Sequence, residues 1–134
     1  MVVTYAIDID LVNPGEIHRI HVKQGDVSSR CIDISLLQNG EAWKIGRDTT
    51  AVIRYCAQDP GNMVTNHGLY DTLEDGSPAY MVAGNIISIV PLREMTENPG
   101  LVTMDVLLVE GEKKIATFNF ELYVHRAPHG ETQM

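Results

Sequence analysis

Residues 115–124 read Ile115-Ala116-Thr117-Phe118-Asn119-Phe120-Glu121-Leu122-Tyr123-Val124, with Ala116, Phe118, Phe120, Leu122 and Val124 on every second position. Successive side chains of an extended strand point to opposite faces, so this alternation makes a strand with one buried face. Phe118, Phe120 and Leu122 are its candidate core residues. Upstream, Leu101 to Val109 is a second apolar run, and Glu110-Gly111-Glu112 between them predicts a hairpin turn.

Working outward, the same period recurs. Thr50 to Ala57 is rich in β-branched and aromatic residues, with Ala51, Ile53 and Tyr55 on one side and Val52, Arg54 and Cys56 on the other. Arg30 to Leu37 sets Ile32, Ile34 and Leu36 against Cys31, Asp33 and Ser35. It runs into Asn39-Gly40, a pair suited to a two-residue hairpin turn, with a short return strand over Ala42 to Ile45. Val3 to Ile9 alternates with its odd positions apolar, and a strand over Ile17 to Val22 follows the turn at Asn13-Pro14-Gly15. Tyr80 to Val82 and Ile86 to Val90 read as further strands, whereas Met63 to Leu73 shows no clear period. Turn signals every eight to twelve residues predict an all-β, immunoglobulin-like antiparallel β-sandwich, with at most one short helical turn near 91–97, ended by Pro99-Gly100. A closed barrel is the other architecture this spacing allows. The expected organisation is one sandwich domain over residues 1–124 and a polar C-terminal tail over 125–134.

At 134 residues the chain is long enough to bury about two thirds of its unfolded surface without disulfides or metal. A content of 44% hydrophobic and 21% charged residues excludes disorder, and the apolar runs are far too short to span a bilayer. No signal-peptide pattern opens the chain, so synthesis in a cytoplasm and no membrane insertion are expected. The formal charge of −8, with basic residues scattered, repels phosphate backbones and argues against nucleic-acid binding. Cys31 and Cys56 both fall in predicted strands. They can face each other as an inter-sheet bridge or stand as two small buried thiols, and a reducing compartment favours the thiols.

Residues that carry chemistry are sparse. His18 and His21 form an H-x-x-H, but an odd separation on a strand sends the rings to opposite faces. His67, His125 and His129 read as solvated histidines of turns or the terminus. Asp8 and Asp10 share a strand face with no third ligand nearby, which reads as a solvated outer face rather than a calcium site or carboxylate pair. No phosphate loop, nucleophile elbow or dinucleotide fingerprint is present. The expectation is therefore no catalytic residue, no metal and no cofactor, although a small hydrolase with a site assembled from distant residues is a pattern sequence alone leaves open. Trp43, the sole tryptophan, is the candidate glycan contact of a carbohydrate-binding reading. Packing at the sandwich edge is the simpler role.

One set of marks goes further. Val22-Lys23-Gln24-Gly25-Asp26 with Arg30 after it, Ile53-Arg54-Tyr55, Pro91-Leu92 leading to Pro99-Gly100, and Thr117-Phe118-Asn119-Phe120 stand in an order that resembles the N-terminal domain of phage baseplate upper proteins, over about residues 3 to 124. The resemblance implies a non-enzymatic structural component of a tailed-phage or prophage virion. Such a baseplate, tail or neck adaptor is made in the host cytoplasm, docks to other virion proteins and forms a homo-oligomer. Gln24, Gly25, Asp26 and Arg30 are the candidate assembly or turn motif, in which Gly25 permits a tight turn and Asp26 can accept from the amides of Ser28 and Ser29. A turn that only fixes local geometry is an equal reading. Members of that family often continue into a helical shaft, and this chain stops about ten residues after its final strand, which points to a free-standing subunit. The alternative to the virion role is a module binding a host-surface carbohydrate.

Overall fold

The alternation that defines residues 115–124 places Phe120, Leu122 and Val124 at full burial and leaves Thr117, Asn119 and His125 facing solvent. In a computed structural model, residues 3–25 and 30–126 are described, apart from the side chains of Val3 and Arg30. Ten strands follow in order: β1 (Val3–Asp10), β2 (Arg19–Lys23), β3 (Arg30–Gln38), β4 (Glu41–Ala42), β5 (Thr49–Gln58), β6 (Val64–Tyr70), β7 (Tyr80–Ala83), β8 (Ile86–Ile89), β9 (Gly100–Glu110) and β10 (Lys113–His125). Among the described residues one 3-10 turn, Arg93–Met95, is the helical element expected near 91–97. No described helix is long and apolar enough to cross a membrane.

The strands form two five-stranded sheets that pack as a sandwich. One runs β1-β3-β8-β7, with β4 paired to the end of β3; the other runs β2-β10-β9-β5-β6. Most pairings are antiparallel, but each sheet carries one parallel pair at an edge, β1 with β3 and β2 with β10. Local alternation does not reveal such pairings, because strand direction is set by which distant segment supplies the partner. Ile32, Ile34 and Leu36 of β3 and Ile87 and Ile89 of β8 supply the inner face of the first sheet. They meet Ile53 of β5, Met104, Val106 and Leu108 of β9, and Phe120 and Leu122 of β10 from the second. Phe118 belongs to the same core at 6% exposure. Each fully buried side chain of this size contributes about 1.5–3 kcal/mol relative to leaving it in water.

Two tyrosines stitch the layers together. Tyr70 of β6 reaches across to donate its hydroxyl proton to the Val90 carbonyl at 3.0 Å, and burial, aided by Tyr55 and Glu94, holds that hydroxyl well above the usual phenol range. Tyr80 of β7 accepts the Ala51 amide at 3.0 Å. Ala51 lies beyond the last residue of β5 that β6 covers, Ile53, so the tyrosine oxygen supplies the ladder partner that β6 does not. Asn39 and Gly40 both sit at positive φ, 51° and 82°, the geometry of a two-residue hairpin turn, and the return arm is only Glu41–Ala42 rather than the expected Ala42 to Ile45. Gly100 opens β9 at φ +137°, and a Cβ added there falls on the Gln58 carbonyl oxygen of neighbouring β5, so no other residue fits without moving backbone.

Candidate docking surface

Every open sandwich has four edge strands, and here they divide by chemistry. On one flank β1 and β2 carry Asp8, Asp10, Arg19 and Lys23. On the other, β6 (Val64-Thr65-Asn66-His67-Gly68-Leu69-Tyr70) and β7 (Tyr80-Met81-Val82-Ala83) carry no Lys, Arg, Asp, Glu or Pro. The turn between them keeps the two edges together: the Ala79 amide donates to Asp71 O at 2.9 Å, Leu73 N to Ser77 O at 2.8 Å, and Thr72 bridges Pro78. Tyr70 and Tyr80 anchor this flank to the core from within. Outward, Leu69 is 67% exposed and Met81 74%, with Met63, Val64 and Val82 exposed beside them. An edge strand with unmatched amides and carbonyls and no charge to repel a second strand is a ready template for pairing. Next to it, a groove of about 400 Å³ on the outer face of the second sheet is lined by Arg54, Cys56, His67, Leu69, Thr103 and Asp105. Arg54 and Asp105, opposite one another on β5 and β9, are joined at 2.7 Å.

The candidate motif after β2 lies elsewhere. The Gln24 amide donates to His125 O at 2.8 Å, its side-chain amide donates to Glu97 O at 2.8 Å, and Gly25 N donates to Thr96 O at 2.9 Å with φ at +86°. Gln24 and Gly25 thus clasp the end of β2 to the segment leaving the 3-10 turn. Asp26 lies outside the described residues, as do Ser28 and Ser29, and Arg30 is placed only as the first residue of β3. Trp43 is partly buried against the core, its amide donating to Leu36 O at 2.9 Å, so its ring packs at the sandwich rim.

Asp10 does not share a solvated face with Asp8 in the simple sense expected. Its carboxylate accepts amide protons from Val12 and Asn13 at 2.9 Å, Asn39 at 3.1 Å and Gly40 at 2.7 Å, tying the exit of β1 to the β3–β4 turn. The Asn13 amide has the largest effect on its acidity. Desolvation opposes it, the Gly40, Val12 and Asn39 amides add to it, and the carboxyl is held at about 2. Cys31 and Cys56 are both free and half-buried on the outward faces of opposite sheets, alternating with buried Ile32 and Tyr55, so they neither bridge nor stand as core thiols. Burial first, and then the Asp33 carboxylate, pushes the Cys31 thiol up, which disfavours the thiolate a nucleophile needs. His125 is not an isolated terminal residue. It ends β10, one position past the limit expected for the sandwich, and its ring meets that of His21. His129 and the rest of the segment 127–134 lie outside the described residues.

No family model matches the chain, and no match is found among curated proteins. The functional reading therefore rests on the surface itself and on the sequence marks. The uncharged flank was missed in the sequence because β6 falls within Met63 to Leu73. Its inward positions are Asn66, Gly68 and Tyr70, of which only Tyr70 is a large core side chain, so no apolar period shows.

Proposed function

We propose that the chain is a non-enzymatic structural component of a tailed-phage or prophage virion, a baseplate, tail or neck adaptor that docks to other virion proteins and to copies of itself. The observation that carries this reading is the uncharged β6–β7 flank, with Leu69 and Met81 displayed on two rigidly anchored edge strands. Assembly by strand pairing draws affinity from main-chain hydrogen bonds and specificity from the flanking side chains, and this flank supplies both. The order of Gln24-Gly25, Ile53-Arg54-Tyr55, Pro99-Gly100 and Thr117-Phe118-Asn119-Phe120 supports the virion class. The packed position of Trp43 gives a carbohydrate-binding role no aromatic platform at that residue.

Sedimentation velocity of the purified chain, and co-purification with any tail proteins encoded in the same genome, test the proposal. The expected result is a self-associated species or a stable complex. Leu69→Lys with Met81→Lys weakens either while leaving the folded content unchanged. A strictly monomeric chain with no affinity for those proteins overturns the assignment.

A further inference from the structure

His21 and His125 are 104 residues apart in sequence, yet the parallel pairing of β2 with β10 makes them neighbours. Tyr123 lies opposite His21 and His125 opposite Lys23, so the two imidazoles are diagonal partners on the outer face, while Ile20, Val22 and Val124 point into the core. Nδ1 of His21 and Nε2 of His125 are 2.8 Å apart, with ring centroids at 5.0 Å and planes 28° apart. The two centroid-to-nitrogen radii and the nitrogen gap together nearly account for the centroid separation, so the rings meet edge to edge rather than face to face. One of these two nitrogens donates its proton to the lone pair of the other, so they face one another across the gap between the strands. Tyr123 packs 4.9 Å from the His125 ring and 6.0 Å from that of His21, limiting their rotation.

We propose that His21 and His125 form a two-imidazole clamp for a divalent late-transition-metal ion of the zinc, nickel or copper class, joining β2 to β10. Imidazole nitrogen suits these borderline cations, which sit about 2.0–2.1 Å from each nitrogen. Tetrahedral coordination at that length needs the nitrogens roughly 3.4 Å apart with both lone pairs turned toward the ion, so the head-on pair opens by about 0.6 Å and each exposed ring turns by roughly 35°. On binding, the shared proton moves to the far nitrogen of its own ring, so both imidazoles stay neutral and each presents a lone pair. Among the described residues no third His, Cys, Asp or Glu joins the pair, which leaves the remaining coordination positions to water. Charged described residues near the site include Arg19, paired to Glu121 at 3.0 Å and 5.9 Å from the Tyr123 ring, Lys23 across from His125, and Arg126 next in sequence to His125.

Titration calorimetry with nickel chloride and with zinc chloride at pH 7.5 tests the clamp. The wild-type chain binds one ion, and its melting temperature rises with metal concentration, because the ion favours the folded state in which the two strands meet. His21→Asn and His125→Asn each weaken binding by more than the roughly 10–100-fold that loss of an outer-shell partner costs, whereas His67→Asn leaves it unchanged. Far-ultraviolet circular dichroism without metal establishes that each variant is folded, and since the ligands stand on different strands either variant alone decides the matter. No heat in the wild type, or binding that survives both substitutions, overturns the inference. Neither result bears on docking through the β6–β7 flank, which lies on the opposite side of the sandwich.

Discussion

Gly100→Ala separates two costs that usually arrive together. The backbone at Gly100 has φ +137°, which an L side chain rarely adopts, and holding it there costs about 1–3 kcal/mol. In addition, the new Cβ lands on the Gln58 carbonyl oxygen and 3.0 Å from the Asp59 Cα, both backbone atoms that do not swing aside, which adds about 1–3 kcal/mol of overpacking. The expected loss is about 4 kcal/mol. With a urea slope of about 2 kcal/mol/M for a domain of this size, the unfolding midpoint drops by roughly 2 M with the slope unchanged. Gly111→Ala is the internal control. Gly111 also has positive φ, +66°, but nothing lies within 4 Å of its added Cβ, so it incurs only the conformational cost of about 1–2 kcal/mol. Equilibrium urea unfolding followed by circular dichroism compares the two. If Gly100→Ala proves no more damaging than Gly111→Ala, the close approach of β9 to the end of β5 is not what the structure implies.

Three further outcomes follow from particular contacts. Tyr70→Phe removes the donor to the buried Val90 carbonyl and lowers stability by about 1–3 kcal/mol in the same assay, with the ring packing against Tyr55 preserved. Phe120→Ala costs about 3–5 kcal/mol, whereas Thr117→Ala, three positions away on the exposed face of the same strand, stays within about 0.5 kcal/mol; equal effects would refute the assignment of faces. Asp10 has its carboxyl held at about 2, below the ordinary 3.8, so its contribution is fully present above pH 4 and is lost as the pH falls through 2. Asp10→Asn therefore lowers the denaturation midpoint at pH 7 and flattens its fall between pH 4 and pH 2, and a variant as acid-sensitive as the parent would count against the four-amide clasp.

Strands with one apolar face were legible in the sequence: β10, β5 and β3 stand where their alternation puts them, and Asn39-Gly40 makes the turn its φ preferences demand. What was not legible depends on contacts between distant segments. β6 is an edge strand whose inner positions are Asn66, whose side chain donates to Glu94 O, Gly68, which lies under the Tyr55 ring, and Tyr70, so a single large side chain at its end marks the buried face and no apolar period shows. The parallel pairings are likewise silent locally. For that reason the spacing of His18 and His21 was the wrong place to look for an imidazole pair: His21 finds its partner at the far end of the chain. Asp10 looked like a solvent-facing carboxylate because the amides it holds belong partly to a turn some thirty residues later.

The position of β10 has a consequence for how the molecule comes into being. It is the last described strand to leave the ribosome, yet it lies inside its sheet, between β2 and β9. A nascent chain emerges N-terminus first at about 5–20 residues per second. Until β10 emerges, β2 is without its neighbour among the described strands of its sheet and β9 has one side bare, so that half of the sandwich cannot close before residues 113–125 are made. Closure then joins segments about a hundred residues apart in one late step, which makes a slow, all-or-none maturation the natural behaviour of this topology. An interrupted product ending before Lys113 is therefore a substrate for proteolysis rather than a smaller folded domain.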